Sequence, residues 1–153
     1  MIRRARQSDI EELVKLNRNL TTYHHGFDPY FKSGEEDEGV HRYLQAVLAG
    51  ISSQIFVSEE AKKVTGYVVA RIKKTNSCQT PETYGKLSQL YIESDNRNKG
   101  VGTALVKEAI QWFMAKGIEN IELFVHEKNP EAIKLYKKLG FHDYQKVLRL
   151  DLE

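Results

Sequence analysis

The chain has 153 residues, 41% of them hydrophobic, which is enough for one domain with a core of its own over 1–153. A formal net charge of only +2 gives no field favouring nucleic acid, and no apolar run is long enough to span a bilayer. Cys78 is the only cysteine, which excludes an intrachain disulfide, and the basic start Met1-Ile2-Arg3-Arg4-Ala5-Arg6 lacks the apolar stretch of a secretion signal, so a soluble cytoplasmic protein is expected.

Residues 2–5 read as a short first strand. Ser8-Asp9-Ile10-Glu11 fits a Ser-x-x-Glu capping box, and Ile10, Leu13, Val14, Asn17 and Leu20 recur at helical spacing, predicting a helix over 9–20. The pattern breaks over 21–34, an aromatic-rich loop carrying Tyr23, His24, His25, Phe27, Tyr30 and Phe31 around Asp28-Pro29. Loops on a rigid scaffold often carry binding residues. Glu35-Glu36-Asp37-Glu38 opens a second helix, where acids complement the helix dipole. Its apolar face is Val40, Tyr43, Leu44, Val47 and Leu48, and Gly50 ends it.

Strands follow over 53–59 and 64–72, joined by the short polar turn Ala61-Lys62-Lys63, as in an antiparallel hairpin. A polar loop over 75–81 holds Cys78, and a fourth strand covers 86–93. Val101, Leu105, Ala109, Trp112 and Phe113 mark a third helix that stops at Lys116-Gly117. Ile121, Leu123 and Val125 alternate with Glu122, Phe124 and His126 in a fifth strand, so the fourth and fifth strands are parallel across a right-handed crossover. Asn129-Pro130 supplies N-cap and N1 of a fourth helix faced by Ala132, Ile133, Leu135, Tyr136 and Leu139, with Gly140 after it. Residues 141–152, with Leu148, Leu150 and Leu152 alternating, complete the sheet; an unpaired edge of this kind invites a second copy, a homodimer.

The stretch with chemical content lies between the fourth strand and the third helix: Arg97-Asn98-Lys99-Gly100-Val101-Gly102-Thr103. Glycines let backbone approach a ligand, and the first turn of a helix offers unpaired N–H groups and a positive dipole end, a site for pyrophosphate. Arg97 and Lys99 add charge there. The spacing is not that of a nucleotide-triphosphate loop, since Lys99 precedes Gly100, nor of a dinucleotide fingerprint, since Leu105 stands where a third glycine belongs. The five histidines show no metal spacing, and no metal is expected.

Arg-x-x-Gly-x-Gly at a strand-to-helix turn resembles the acetyl-CoA pyrophosphate loop of the GNAT acetyltransferase superfamily. The segment from Asn129 to Phe141 resembles that family's Asn-x-x-Ala-x-x-x-Tyr-x-x-x-Gly-Phe pattern, in the right order and across a crossover's worth of chain. The resemblance implies an α/β (α+β) fold in the order β-α-α-β-β-β-α-β-α-β, with a mixed central sheet of about six to seven strands and helices on both faces. It implies that the loop from Arg97 to Thr103 holds pyrophosphate and that backbone of Leu90, Tyr91 and Ile92 pairs with the pantetheine arm and polarises the thioester. Asn129 bonds the cofactor in this family pattern, a role that can coexist with N-capping.

By the same resemblance Tyr136 protonates the departing CoA thiolate, and an N-acetyltransferase acting on a primary amine by direct attack follows. Glu93, at the end of the fourth strand, is the candidate base; Tyr23, His24, His25 and Tyr30 are alternatives, and Tyr23, His24 and Tyr30 are candidates for the acceptor wall. Aromatic residues and acids over 21–38 suit a small cationic amine. A protein α-amine or lysine acceptor, or a module that holds acyl-CoA without catalysis, are the other readings.

Overall fold

The computed structural model describes residues 1–31 and 38–152, so the expected acidic turn at Glu35, Glu36 and Asp37 lies outside the described residues. In chain order the elements are β1 (Ile2–Arg4), α1 (Ile10–His25), α2 (Glu38–Ala49), β2 (Ser53–Glu60), β3 (Lys63–Lys74), β4 (Thr83–Ile92), α3 (Val101–Ala115), β5 (Ile121–Leu123) and α4 (Pro130–Lys138). The strands form one sheet in the order β1-β2-β3-β4-β5, antiparallel up to β4 and parallel between β4 and β5.

Apolar residues on both faces of the central strands create two cores. Ile55 and Val57 of β2 with Tyr67 and Val69 of β3 pack on Leu13, Leu16 and Leu20 of α1 and on Leu44 and Val47 of α2. Phe56, Val68 and Ala70, their neighbours along the same strands, pack on Leu105, Val106, Ala109 and Phe113 of α3. The period-two alternation of a strand thus puts α1 and α2 on one face, and α3 with α4 on the other. Inside the first core the Asn17 amide donates to the Tyr67 hydroxyl at 2.9 Å, both side chains buried. That bond satisfies two polar groups in an apolar layer and pins the middle of α1 over β3.

Three expectations change. The first helix begins with no side-chain cap from Ser8; instead a short 3-10 turn over Gln7–Asp9 precedes it, and the Asp9 carboxylate accepts the Arg6 backbone N–H at 2.6 Å. The helix also runs on to His25, past the expected end at residue 20, because Tyr23 stacks on Arg97 and His24 on Phe27 and Phe31, contacts that outweigh weak local propensity. Tyr23, His24 and His25 therefore stand on the last helical turn, not in a loop.

The third change is at the far edge. Among the described residues the sheet has five strands rather than six or seven: β5 stops at Leu123, and residues 141–152 form no strand. Their strand-like alternation finds no partner strand among the described residues. Tyr144, Val147, Leu148, Leu150 and Leu152 are 66–87% exposed. The tail is held by polar contacts instead, Lys137 to Asp143 at 2.8 Å and the Tyr30 hydroxyl to Asp151 at 3.0 Å.

Arg3 fastens β1 to the start of α1, donating to both Asp9 oxygens at 2.8 and 2.9 Å and to Glu59 through Nε at 2.7 Å. The Arg3 guanidinium holds the Asp9 carboxyl below the usual carboxylate range. Asp9→Asn should destabilise the fold by about 2–3 kcal/mol at neutral pH, since one partner of a mostly buried charged pair is lost. A depressed native pKa stabilises fully above the unfolded carboxylate range and loses that contribution as pH falls through the native value. Urea denaturation at a series of pH values should show the gap between wild type and variant closing in acid.

Candidate active site

The two parallel strands pair only at Gly85, Lys86 and Leu87 of β4 with Ile121, Glu122 and Leu123 of β5, while β4 continues to Ile92. Beyond Leu87 the strands part, leaving one edge of β4 without a neighbour from β5. On its other edge the pairing with β3 shifts: Ser88 opposes Val69 but Tyr91 opposes Tyr67. The extra residue is taken up at Gln89, with φ +54°. Such a bulge re-aims backbone groups and twists the strand, and bulges are common beside active sites. The Gln89 Oε1 is buried with no hydrogen-bond partner among the described residues. Leu90 and Ile92 pack toward the α3 core, and Tyr91 toward the α1 core.

After β4 a 3-10 turn over Ser94–Asn96 leads to Asn98 at φ +60° and Gly100 at φ +78°, then α3 begins. Gly100 is its N-cap and makes no side-chain cap; the first intrahelical bond is Ala104 N–H to Gly100 O at 3.0 Å. The N–H groups of Val101, Gly102 and Thr103 thus precede the first intrahelical bond, with the positive end of a 15-residue helix behind them. A Cβ on Gly100 would meet nothing within 4 Å, whereas one on Gly102 would lie 2.9 Å from Leu135 Cδ1 and 3.0 Å from Ile92 Cδ1. Gly102 lets β4, α3 and α4 converge on the side where its Cβ would lie.

Arg97 turns away from a simple phosphate-facing role. Its Nε donates to Ile92 O at 2.9 Å, and its guanidinium stacks on Tyr23 and Tyr91 at 4.8 and 5.5 Å. Its backbone N–H donates to Ser94 O. Lys99 is exposed and joins Met1, Ser58, Glu60 and Asn96 in lining a cleft of about 310 Å³ that shares no residue with β4 or α4. Gly100, Val101 and Ala104 at the start of α3 line the same cleft, together with Glu59 and Glu60.

On α4, Asn129 Oδ1 accepts the Ala132 N–H at 3.3 Å and Pro130 fills N1, so the expected cap is present. Tyr136 packs beside the α3 core, edge-on to Phe141 with centroids 5.7 Å apart, and among the described residues no hydrogen bond engages its hydroxyl. Burial pushes its phenol up to about 12. Glu93 faces elsewhere: both its oxygens take the Lys63 ammonium, at 2.9 and 3.1 Å.

The end of α1 and the tail gather a second group around the same opening. His24, Phe27 and Phe31 stack on one another, and Phe27 meets the His126 ring at 5.8 Å. Burial, with a smaller contribution from His126, lowers the His24 pKa, so its ring is neutral at physiological pH. Asp28, Arg149 and Asp151 complete this wall with Tyr30. Sequence reading missed Asp28, His126, Arg149 and Asp151. The signal for Asp28 was its place before Pro29, and for His126 its place just past a strand end; nothing local marked Arg149 or Asp151, which arrive through the tail.

A mixed sheet that splits between two parallel strands, with an uncapped glycine-started helix at the split, defines the class: an α/β domain with an anion-ready loop at its topological switch. The chain belongs to the Acetyltransferase (GNAT) family, whose model matches residues 20–141. An N-alpha-acetyltransferase of Sulfurisphaera tokodaii is 31% identical, covering 97% of this chain and 83% of its own. An uncharacterised N-acetyltransferase of Methanocaldococcus jannaschii is 26% identical over 95% of this chain, and the chain spans 62% of that relative's length. The crystal structure of a predicted acetyltransferase with acetyl-CoA from Clostridium acetobutylicum has the same fold, with a TM-score of 0.79 at 22% identity, covering 99% of this chain and 95% of that one.

The two loop glycines should fail for different reasons. Gly102→Ala presses only on the Cδ1 ends of Leu135 and Ile92, which can shift, and should cost about 1 kcal/mol or less in chemical denaturation. Gly100→Ala meets no atoms but forces a left-handed residue to carry a Cβ, a loss of about 1–2 kcal/mol.

Proposed function

We propose that the protein transfers the acetyl group of acetyl-CoA to a primary amine, by direct attack while both are bound. The observation that carries this reading is the coincidence of the Gly100 loop, with the unpaired first-turn amides of α3, and the edge of β4 beyond Leu87 that β5 does not pair. The residues present fit the donor. Val101, Gly102 and Thr103 offer backbone N–H groups to the pyrophosphate. Backbone of Leu90, Tyr91 and Ile92 offers the pantetheine amides the edge of a strand, and the orphaned Gln89 Oε1 is an acceptor beside them. Asn129 keeps its amide nitrogen for the same ligand while its oxygen caps α4. When bound, acetyl-CoA supplies the acyl group already activated as a thioester.

The rest of the chemistry belongs to the chain. An N–H of the bulged stretch Leu90 to Ile92, aimed into the gap, stabilises negative charge on the acyl oxygen as the amine nitrogen adds. The carbon–sulfur bond then breaks, and the sulfur receives a proton. Tyr136 is the donor: burial keeps its phenol protonated at every working pH, and among the described residues its hydroxyl has no competing partner. The incoming amine must lose a proton, and His24 takes it, directly or through water, since its ring is neutral and among the described residues no hydrogen bond engages its nitrogens. Glu93 would have to surrender Lys63 to do the same.

The acceptor we favour is a small cationic amine, drawn to Asp28 and Asp151 among the rings of Phe27, Tyr30 and Phe31, with Tyr23 closing the side toward Arg97. A protein α-amine is the second reading, favoured by the name of the Sulfurisphaera relative. A thioester donor and a single exposed cysteine suit a reducing cytoplasm, and the small net charge gives no reason for a nucleic-acid partner.

Tyr136→Phe keeps the ring and removes the donor, so kcat should fall by about a hundredfold while acetyl-CoA affinity in calorimetry barely moves. Full turnover in the variant, with chemistry rate-limiting, removes Tyr136 from the reaction. CoA binding without CoA release across a panel of amines and peptides would instead leave a binding module. We further propose a homodimer, in which the exposed residues Val147, Leu148, Leu150 and Leu152 of each tail lie against the β5 edge of the other copy. Light scattering should give the mass of two chains, and Leu148→Lys with Leu150→Lys should give one; a monomer mass for wild type at working concentration contradicts the dimer.

A further inference from the structure

The C-terminal tail carries a guanidinium across the acceptor wall. Arg149 Cζ lies 4.2 Å from the centroid of the Tyr30 ring, and its nitrogens are 3.5 Å from Asp28 Oδ2 and 3.4 Å from Asp151 Oδ1. Two carboxylates and an aromatic face around one cation are the components of a cation subsite. The contacts are long. The structural pair in the same molecule, Arg3 with Asp9, closes at 2.8 and 2.9 Å, the usual range for a charged hydrogen bond.

Asp28 makes this more than an exposed acidic patch. It is 8% exposed, and the Tyr30 backbone N–H donates to its Oδ1 at 3.1 Å. That bond above all, with Arg149 and His126 adding, keeps its carboxyl below the usual range. Among the described residues its Oδ2 has no short partner: the nearest groups are Arg149 at 3.5 Å and His126 Nε2 at 3.6 Å. His126 Nδ1 accepts the Lys128 N–H at 3.1 Å, so the ring proton sits on Nε2, facing Asp28. A carboxylate oxygen in a buried wall with only such half-made bonds is under-satisfied, and a cation that reached it at ordinary distance would gain over the resident one.

Position ties this to the chemistry. Asp28 touches His126, His126 stacks near Phe27, and Phe27 stacks near His24, the proposed base. A cation at Asp28 therefore stands about one aromatic ring from the place where the reacting amine loses its proton. Arg149 can leave without uncovering a core, since its own side chain is half-exposed.

We propose that Asp28, Tyr30 and Asp151 form a subsite for a second cationic group of the acceptor, a subsite that Arg149 fills in the free protein and yields to substrate. The acceptor class is then a linear diamine rather than a monoamine. This rests on the N-acetyltransfer reading, and the test separates the two. Calorimetry on the full chain, without acetyl-CoA, compares putrescine with butylamine, the monoamine of equal length, at low salt. Wild type should bind putrescine about tenfold more tightly. Arg149→Gln should tighten putrescine severalfold and leave butylamine unchanged, and Asp151→Asn, an exposed substitution that spares the fold, should weaken putrescine alone.

Equal affinity for the two amines in wild type overturns the subsite. So does putrescine affinity that is unchanged or weakened in Arg149→Gln, because Arg149 would then be only an anchor of the tail. Putrescine bound as described but never acetylated leaves the subsite standing and removes the transferase reading. CoA released equally with both amines, without preferential binding, does the reverse.

Discussion

Beyond Leu87 and Leu123 the parallel strands cannot stay paired, and the site depends on that failure. β4 stays paired to β3 on its other edge, with one extra residue taken up at Gln89. β5 instead turns off toward α4. What opens between them is a strand edge with free backbone groups, beside the start of α3 and the body of α4. Gly102 is what lets these elements meet closely: a methyl group there would press on Leu135 and Ile92. The glycine next to it in the pattern, Gly100, serves a separate need, a left-handed residue that ends the loop and leaves the helix amides bare.

The two faces of the sheet divide the work. On the α3 side the group with the clearest chemical use is Tyr136, held in an apolar surround that keeps its proton on. On the α1 side stand ionisable and aromatic groups, His24, Phe27, Asp28 and His126, fixed there because α1 is pinned by Asn17 to Tyr67 in the core. Arg97 links the faces, bonded to the last carbonyl of β4 and stacked on Tyr23 of α1. A donor on one side and an amine on the other would meet through the gap.

Much of the frame was legible in the residues because it is set locally. Periodicity marked the helices, Asn129-Pro130 marked the start of α4, and the Gly100–Gly102 pair marked the turn into α3. Where tertiary contacts decide, the sequence misled. Thr21 to His25 reads as loop by propensity yet is helix, because Tyr23 and His24 find stacking partners far along the chain. Residues 141–152 alternate like a strand yet lie unpaired, since alternation specifies a face and not the presence of a neighbour. The bulge at Gln89 left no trace, because a left-handed residue of that type has no sequence signature. Glu93 looked free to act as a base, and only the register of β3 brings Lys63 to it.

The central claim is that the parted β4 edge and the first turn of α3 together hold acetyl-CoA. Amide hydrogen exchange with and without CoA tests it at the residues concerned. The account predicts slower exchange at 89–92 and at 101–103 when CoA is added, with 58–60 at the end of β2 unchanged. Protection confined to 58–60, or none at 101–103 under saturating CoA, would contradict it.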